Sequence, residues 1–119
     1  MTFKDLSTSQ IKITEVSSDE IIISSSEDGL KILGNAWFQG YEVIILYQKN
    51  IHPDFFDLKN GMAGEILQKF STYRIRLIII GEFSEYKSQS LQDFIRESNK
   101  GKQVNFVPNL ETALQNFKE

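Results

Sequence analysis

The chain has 119 residues, 40% of them hydrophobic, and its 13 Lys and Arg stand against 16 Asp and Glu for a net charge of −3. That length and apolar content suit one domain with one core, large enough to fold without covalent staples. The absence of cysteine excludes a disulfide framework, a thiolate zinc site and a cysteine nucleophile, and the mild acidity argues against a dedicated nucleic-acid binder.

Residues 1–9 are polar, lack the charged-then-apolar order of an export signal, and are expected as a flexible N-terminus. No apolar run approaches the ~18 residues of a membrane span, so the expected location is the cytoplasm, with no membrane contact. Ile11 to Val16 alternates apolar and polar residues, as a strand does with one face buried. Glu20 to Ser24, centred on Ile21, Ile22 and Ile23, reads as a second strand, and Ser17-Ser18-Asp19 as the turn of a hairpin between them. Ser26, with acids at Glu27 and Asp28, opens a helix whose Leu30, Leu33 and Trp37 share one face, and Gly40 stops it.

Val43 to Tyr47 and Leu77 to Ile80 are continuous apolar runs, the pattern of parallel strands covered on both faces. Between them Met62, Ile66 and Phe70 recur every four residues in a helix from about Asn60 to Tyr73, completing a βαβ unit. Ser88 to Asn99 is a second amphipathic helix through Leu91, Phe94 and Ile95, with Ser90 and Asp93 as a capping pair and Gly101 past its end. Gln103 to Val107 reads as a strand and Pro108-Asn109 as a turn and cap. Leu110, Ala113, Leu114 and Phe117 form the face of a last helix. The expected fold is a single α/β domain over residues 1–119, of order ββαβαβαβα, with a mixed sheet whose parallel core strands are flanked by helices.

In open α/β sheets, ligands and partners meet the loops beyond the carboxyl ends of the parallel strands. The loop after the third strand therefore supplies Asn50, His52, Asp54, Phe55, Phe56, Asp57, Lys59, Asn60 and Gly61 as candidate binding residues, and the loop after the fourth supplies Glu82. His52, the single histidine, has the chemistry of a general base or ligand, although a lone histidine before proline is more often a turn residue. Asp54 and Asp57 could join it around a metal, or be solvated helix-end acids. Phe55 and Phe56, being adjacent, point in different directions: either one is exposed for contact or both plug the end of the sheet. Glu65 with Lys69 at i+4 reads as a surface pair. Arg74 and Arg76 could grip an anion, but charges at a strand entrance are usually solvated. Asn99 to Lys102 lacks the glycine spacing of a phosphate loop and reads as a helix stop. No catalytic residue, cofactor or metal is assigned.

Two resemblances arise. The strand, the acid-bearing loop, Asn60-Gly61-Met62-Ala63-Gly64-Glu65-Ile66-Leu67 and the strand Leu77 to Ile80 look like the core of the STAS fold of anti-sigma-factor antagonists and anion-transporter tails. Pro53-x-Phe55-Phe56-Asp57-Leu58, Ala63 to Phe70 and Asp93-Phe94-Ile95-x-Glu97-Ser98-Asn99-x-Gly101 resemble a bacterial family of uncharacterised function, over roughly Val43 to Lys118. The STAS resemblance implies a non-catalytic regulatory module that binds a protein partner. In that family a serine at the helix start is phosphorylated, and the added dianion breaks the complex. Lys59 or Asn60 stands at the matching place, and neither forms a phosphoserine. A homodimer is left open. The alternative is a small enzyme or ligand-binding protein using His52, Asp54, Asp57 and Glu82.

Overall fold

In the computed structural model, residues 1–117 are described; Lys118 and Glu119, included in the expected domain, lie outside the described residues. The strands are β1 (Thr2–Asp5), β2 (Ile13–Ser17), β3 (Val43–Tyr47), β4 (Arg76–Ile80) and β5 (Val104–Val107). The helices are α1 (Ser26–Phe38), α2 (Met62–Thr72), α3 (Gln89–Lys100) and α4 (Leu110–Gln115). The chain thus runs ββαβαβαβα and forms one five-stranded sheet in sequential order, β1 antiparallel to β2 and the rest parallel.

Of the first two strands, β2 is the one expected over Ile11 to Val16, whereas β1 is not an expected strand. Thr2–Asp5, inside the segment expected to be flexible, pairs along β2 as an edge strand, with Phe3 opposite Val16. Glu20 to Ser24, expected as the second arm of a hairpin, makes one isolated bridge among the described residues, Ile23 to Ile51. The reason is geometric: this segment returns from the end of β2 to the start of α1, and the amides of Ile22 and Ile23 both donate to the carbonyl of Asn50, at 2.7 and 3.2 Å. A strand there would have to spread those donors along a ladder.

The sequential strand order explains the layers. Right-handed crossovers that always step the same way put every crossover helix on the same face. Ile32, Leu33 and Ala36 of α1, Met62, Ala63, Ile66 and Phe70 of α2, and Leu91 and Ile95 of α3 accordingly share one core with Val16, Ile44, Leu46, Leu77, Ile79 and Phe106. The opposite face, Ile13, Val43, Ile45, Ile78 and Ile80, is covered by Ala113 and Phe117 from the last segment, where the short α4 lies. Helices therefore flank both faces, three to one.

Local chemistry sets the helix ends. Ser25, not Ser26, caps α1 by accepting from the Asp28 amide at 3.2 Å, and Gly40 follows its end with φ 85°. For α3 the cap is Ser88, accepting from the Leu91 amide, rather than Ser90 with Asp93; Asp93 instead accepts from Gln89 and Arg96. Asn109 caps α4 as expected. On the free edge of β5, the Asn99 side chain donates to the Phe106 carbonyl (3.1 Å) and accepts from its amide (2.8 Å), occupying groups another strand would need.

Candidate functional site

The loop after β3 folds as three single 3-10 turns, Gln48–Asn50, Pro53–Phe56 and Leu58–Asn60. Most of its polar side chains hold its own backbone. Asn50 is buried, and its Nδ2 donates to the carbonyls of Ser18 (2.7 Å) and Glu20 (2.8 Å), latching the segment after β2. His52 Nδ1 accepts from the Asp54 amide at 3.0 Å, which leaves the proton of the neutral ring on Nε2. Asp57 accepts from the Lys59 amide (3.3 Å), while Asn60 donates to the Asp54 carbonyl and accepts from the Met62 amide at 2.9 Å, the first residue of α2. Gly61 takes φ 81° between the last turn and α2, a left-handed conformation that a side chain would strain.

Both phenylalanines are buried, so the plug alternative describes them. Phe56 stacks on Tyr86 at 5.2 Å between centroids and meets Phe55 edge-on at 5.1 Å. Phe83 continues the contact to Phe106. Gln48 ties the loops together, donating from Nε2 to the Tyr86 hydroxyl and accepting from the Glu82 amide, both at 2.8 Å. The Glu82 carboxylate accepts from Ser84. A groove of about 280 Å³ remains, floored by Pro53, Phe56, Leu58 and Tyr86 and rimmed by Asp57 and Lys59.

Of the four residues proposed for an enzyme, the structure brings His52 near Asp54 only, 3.6 Å from Nδ1 to Oδ1. Among the described residues no three of His, Asp and Glu come together in a group able to hold a metal. Sequential strand order supplies the reason for so shallow a site: crevices at strand ends open where the order reverses, and here it never does. Glu65, expected to pair with Lys69, instead accepts from the Ser26 hydroxyl at 3.1 Å, joining the starts of α1 and α2.

One titratable group at the end of β3 was not singled out by sequence. The Tyr47 hydroxyl donates to the Glu15 carboxylate across the sheet, and partial burial, then that hydrogen bond and charge, push its pKa up to about 12. Glu15 shares its sheet face with Ile13, and the parallel register, which sets it opposite Ile45, brings Tyr47 to it.

A larger feature lies at the other end of the sheet. Trp37 is 55% exposed, Phe38 85% and Tyr73 44%, and with Gly34, Thr72 and Arg74 they line an open depression of about 640 Å³. Trp37 was expected on the core face of α1 with Leu30 and Leu33. It instead meets Tyr73 edge-on at 5.8 Å, because the buried face of α1 is centred on Gly29, Ile32, Leu33 and Ala36 and Trp37 lies to one side of it. The adjacent pair Trp37-Phe38 is the sequence signal that would have found this patch, since one helical face cannot take both.

The family model for a domain of unknown function, DUF4180, matches residues 8–117, all but β1 and a few residues at each end. The chain belongs to the DUF4180 family. That agrees with the expected family of uncharacterised function, and the matched span contains the loop groove, the aromatic patch and every candidate residue of this DUF4180 domain. No curated protein and no solved structure matched the chain. No helix among the described residues is long and apolar enough to cross a membrane.

Proposed function

We propose that the chain is a non-catalytic, STAS-like binding module that takes a protein partner in bacterial regulation. The observation that carries the reading is the cluster of Trp37, Phe38 and Tyr73 at the ends of α1 and α2, three large rings held out of the core. Contiguous exposed aromatic surface is costly to hydrate, and Trp and Tyr supply much of the energy of protein interfaces. The loop groove at the start of α2 is a second contact surface. It is preorganised, because its polar side chains already bond its own backbone, so little ordering entropy opposes docking. It also lies where the STAS resemblance puts the partner. There Lys59 or Asn60, the latter accepting from the Met62 amide, stands in place of a phosphorylatable serine, so the complex is formed without that switch.

Capture of a partner from the native cell, with surface variants, tests this. A Trp37→Ser/Phe38→Ser double variant should lose the partner while keeping its thermal transition, since both rings are exposed. Asp57→Lys with Lys59→Glu reads the groove; Phe56 is unsuited because its ring is buried. Loss with the groove pair alone would move the interface to α2, and retention by both variants would refute the proposal. Light scattering separates a second copy of the chain from a different partner.

A further inference from the structure

Arg76 opens β4 and points to the face covered by α4, on the same side as Ile78. Its guanidinium lies over the Phe117 ring, 4.8 Å from the centroid, and its Nε donates to the Lys102 carbonyl at 2.5 Å. Those contacts fix the fork and leave both terminal amino groups without a partner among the described residues. No carboxylate lies within ion-pair distance of it there, and none lines the cavity of about 340 Å³ that it faces. Among the described residues, Arg76 is thus the one charged group of the cavity, in a chain with net charge −3. Burial holds the Arg76 pKa below its ordinary value, and among the described residues no acid opposes the shift. The neutral groups of Asn105, Thr112 and Asn116 line the cavity, and Ile78 and Val107 give it an apolar wall.

We propose that the cavity between β4, β5 and α4 binds a small organic carboxylate, its two oxygens on the terminal nitrogens of Arg76 and its apolar body against Ile78 and Val107. A guanidinium set over an aromatic ring with its Nε engaged presents an end-on fork that matches a planar carboxylate. The apolar wall favours a ligand with a hydrocarbon body over a bare oxyanion, and the volume lies at the low end of the ~300–1,000 Å³ typical of ligand sites. The short α4 leaves this space open on a face that longer helices would fill. The site is remote from the loop groove and independent of the partner-binding reading.

Benzoate, benzyl alcohol and inorganic phosphate titrated into the full chain, followed by amide NMR shifts, test it. Benzoate should shift the signals of Val107, Thr112 and Ala113 in a saturable way. Benzyl alcohol should leave them unmoved, and phosphate should bind on the order of tenfold more weakly. Arg76→Gln removes the fork but also its packing on Phe117, so Asn105→Asp is the second variant: Asn105 pairs with Ile78 and lines the same cavity as Arg76, and an acid there gives up the bond from Nδ2 to the Gly101 carbonyl (3.0 Å) and sets a negative charge in the cavity with Arg76 left in place. It should weaken benzoate at least about tenfold. Benzoate shifts confined to other regions, or equal affinity in Asn105→Asp, would overturn the site; phosphate binding as tightly as benzoate would overturn the organic carboxylate.

Discussion

Asn50 was a candidate binding residue, and the structure makes it a latch, so its replacement should be read in stability. Asn50→Ala removes two hydrogen bonds, to the carbonyls of Ser18 and Glu20 at 2.7 and 2.8 Å, each contributing roughly 1 kcal/mol net. The small cavity left at a buried site adds about 1 kcal/mol. Against this, Asn50 Oδ1 is buried without a partner among the described residues, and its removal returns about 1 kcal/mol. The net loss is about 2 kcal/mol, a fall in Tm of about 5–10 °C for a domain of this size. Asn50→Asp turns the two donors into acceptors facing carbonyls, with a charge taken out of water, and should cost roughly 4 kcal/mol or more. Urea denaturation gives both values. Amide exchange at Ile22 and Ile23, whose N–H groups donate to the Asn50 carbonyl, should quicken in both variants. An alanine variant within about 0.5 kcal/mol of the parent, or an aspartate variant no worse than alanine, would refute the latch.

Two further outcomes follow from named contacts. A Cβ on Gly29 would stand 2.7 and 2.9 Å from Cδ1 and Cγ1 of the buried Ile66, so Gly29→Ala should destabilise by about 1 kcal/mol even though alanine favours the helix. Adding Ile66→Val deletes Cδ1, and a double-mutant cycle in urea should show the pair costing less than the sum of the singles. Tyr47 should titrate near 12 by tyrosinate absorbance, against an ordinary 10.0. Because its folded pKa is raised, its contribution to stability is present below pH 10 and is lost as pH rises from there through about 12. Glu15→Gln should bring the titration only part of the way down, since burial is the larger cause.

The loop groove was legible as a place but not as chemistry. The acids, the histidine and the asparagines after β3 were identifiable by their position at a strand end. Whether they faced a ligand depended on the local backbone, and the turns aimed His52, Asp57 and Asn60 at amides two residues further on. Phe55 and Phe56 carried no directional signal of their own, because burial of two adjacent rings needed Tyr86, Phe83 and the rest of the core to surround them.

By itself the sequence determined the parallel core and the helices that cover it. Val43 to Tyr47 and Leu77 to Ile80 are apolar throughout, and a segment with no polar face has only a doubly covered strand to occupy. Met62, Ile66 and Phe70 impose a helix between them by the same local logic of period and burial. Only the tertiary structure decided which segment pairs with β2, since Ile11 to Val16 offers the same alternating edge to Thr2–Asp5 and to Ile21 to Ile23. The Asn50 carbonyl and side chain claim the second of these and leave the first to the sheet. Tertiary structure also decided that the strand order never reverses. That order gathers three helices on one face, leaves the strand ends shallow, and opens the Arg76 cavity beside a helix too short to fill it.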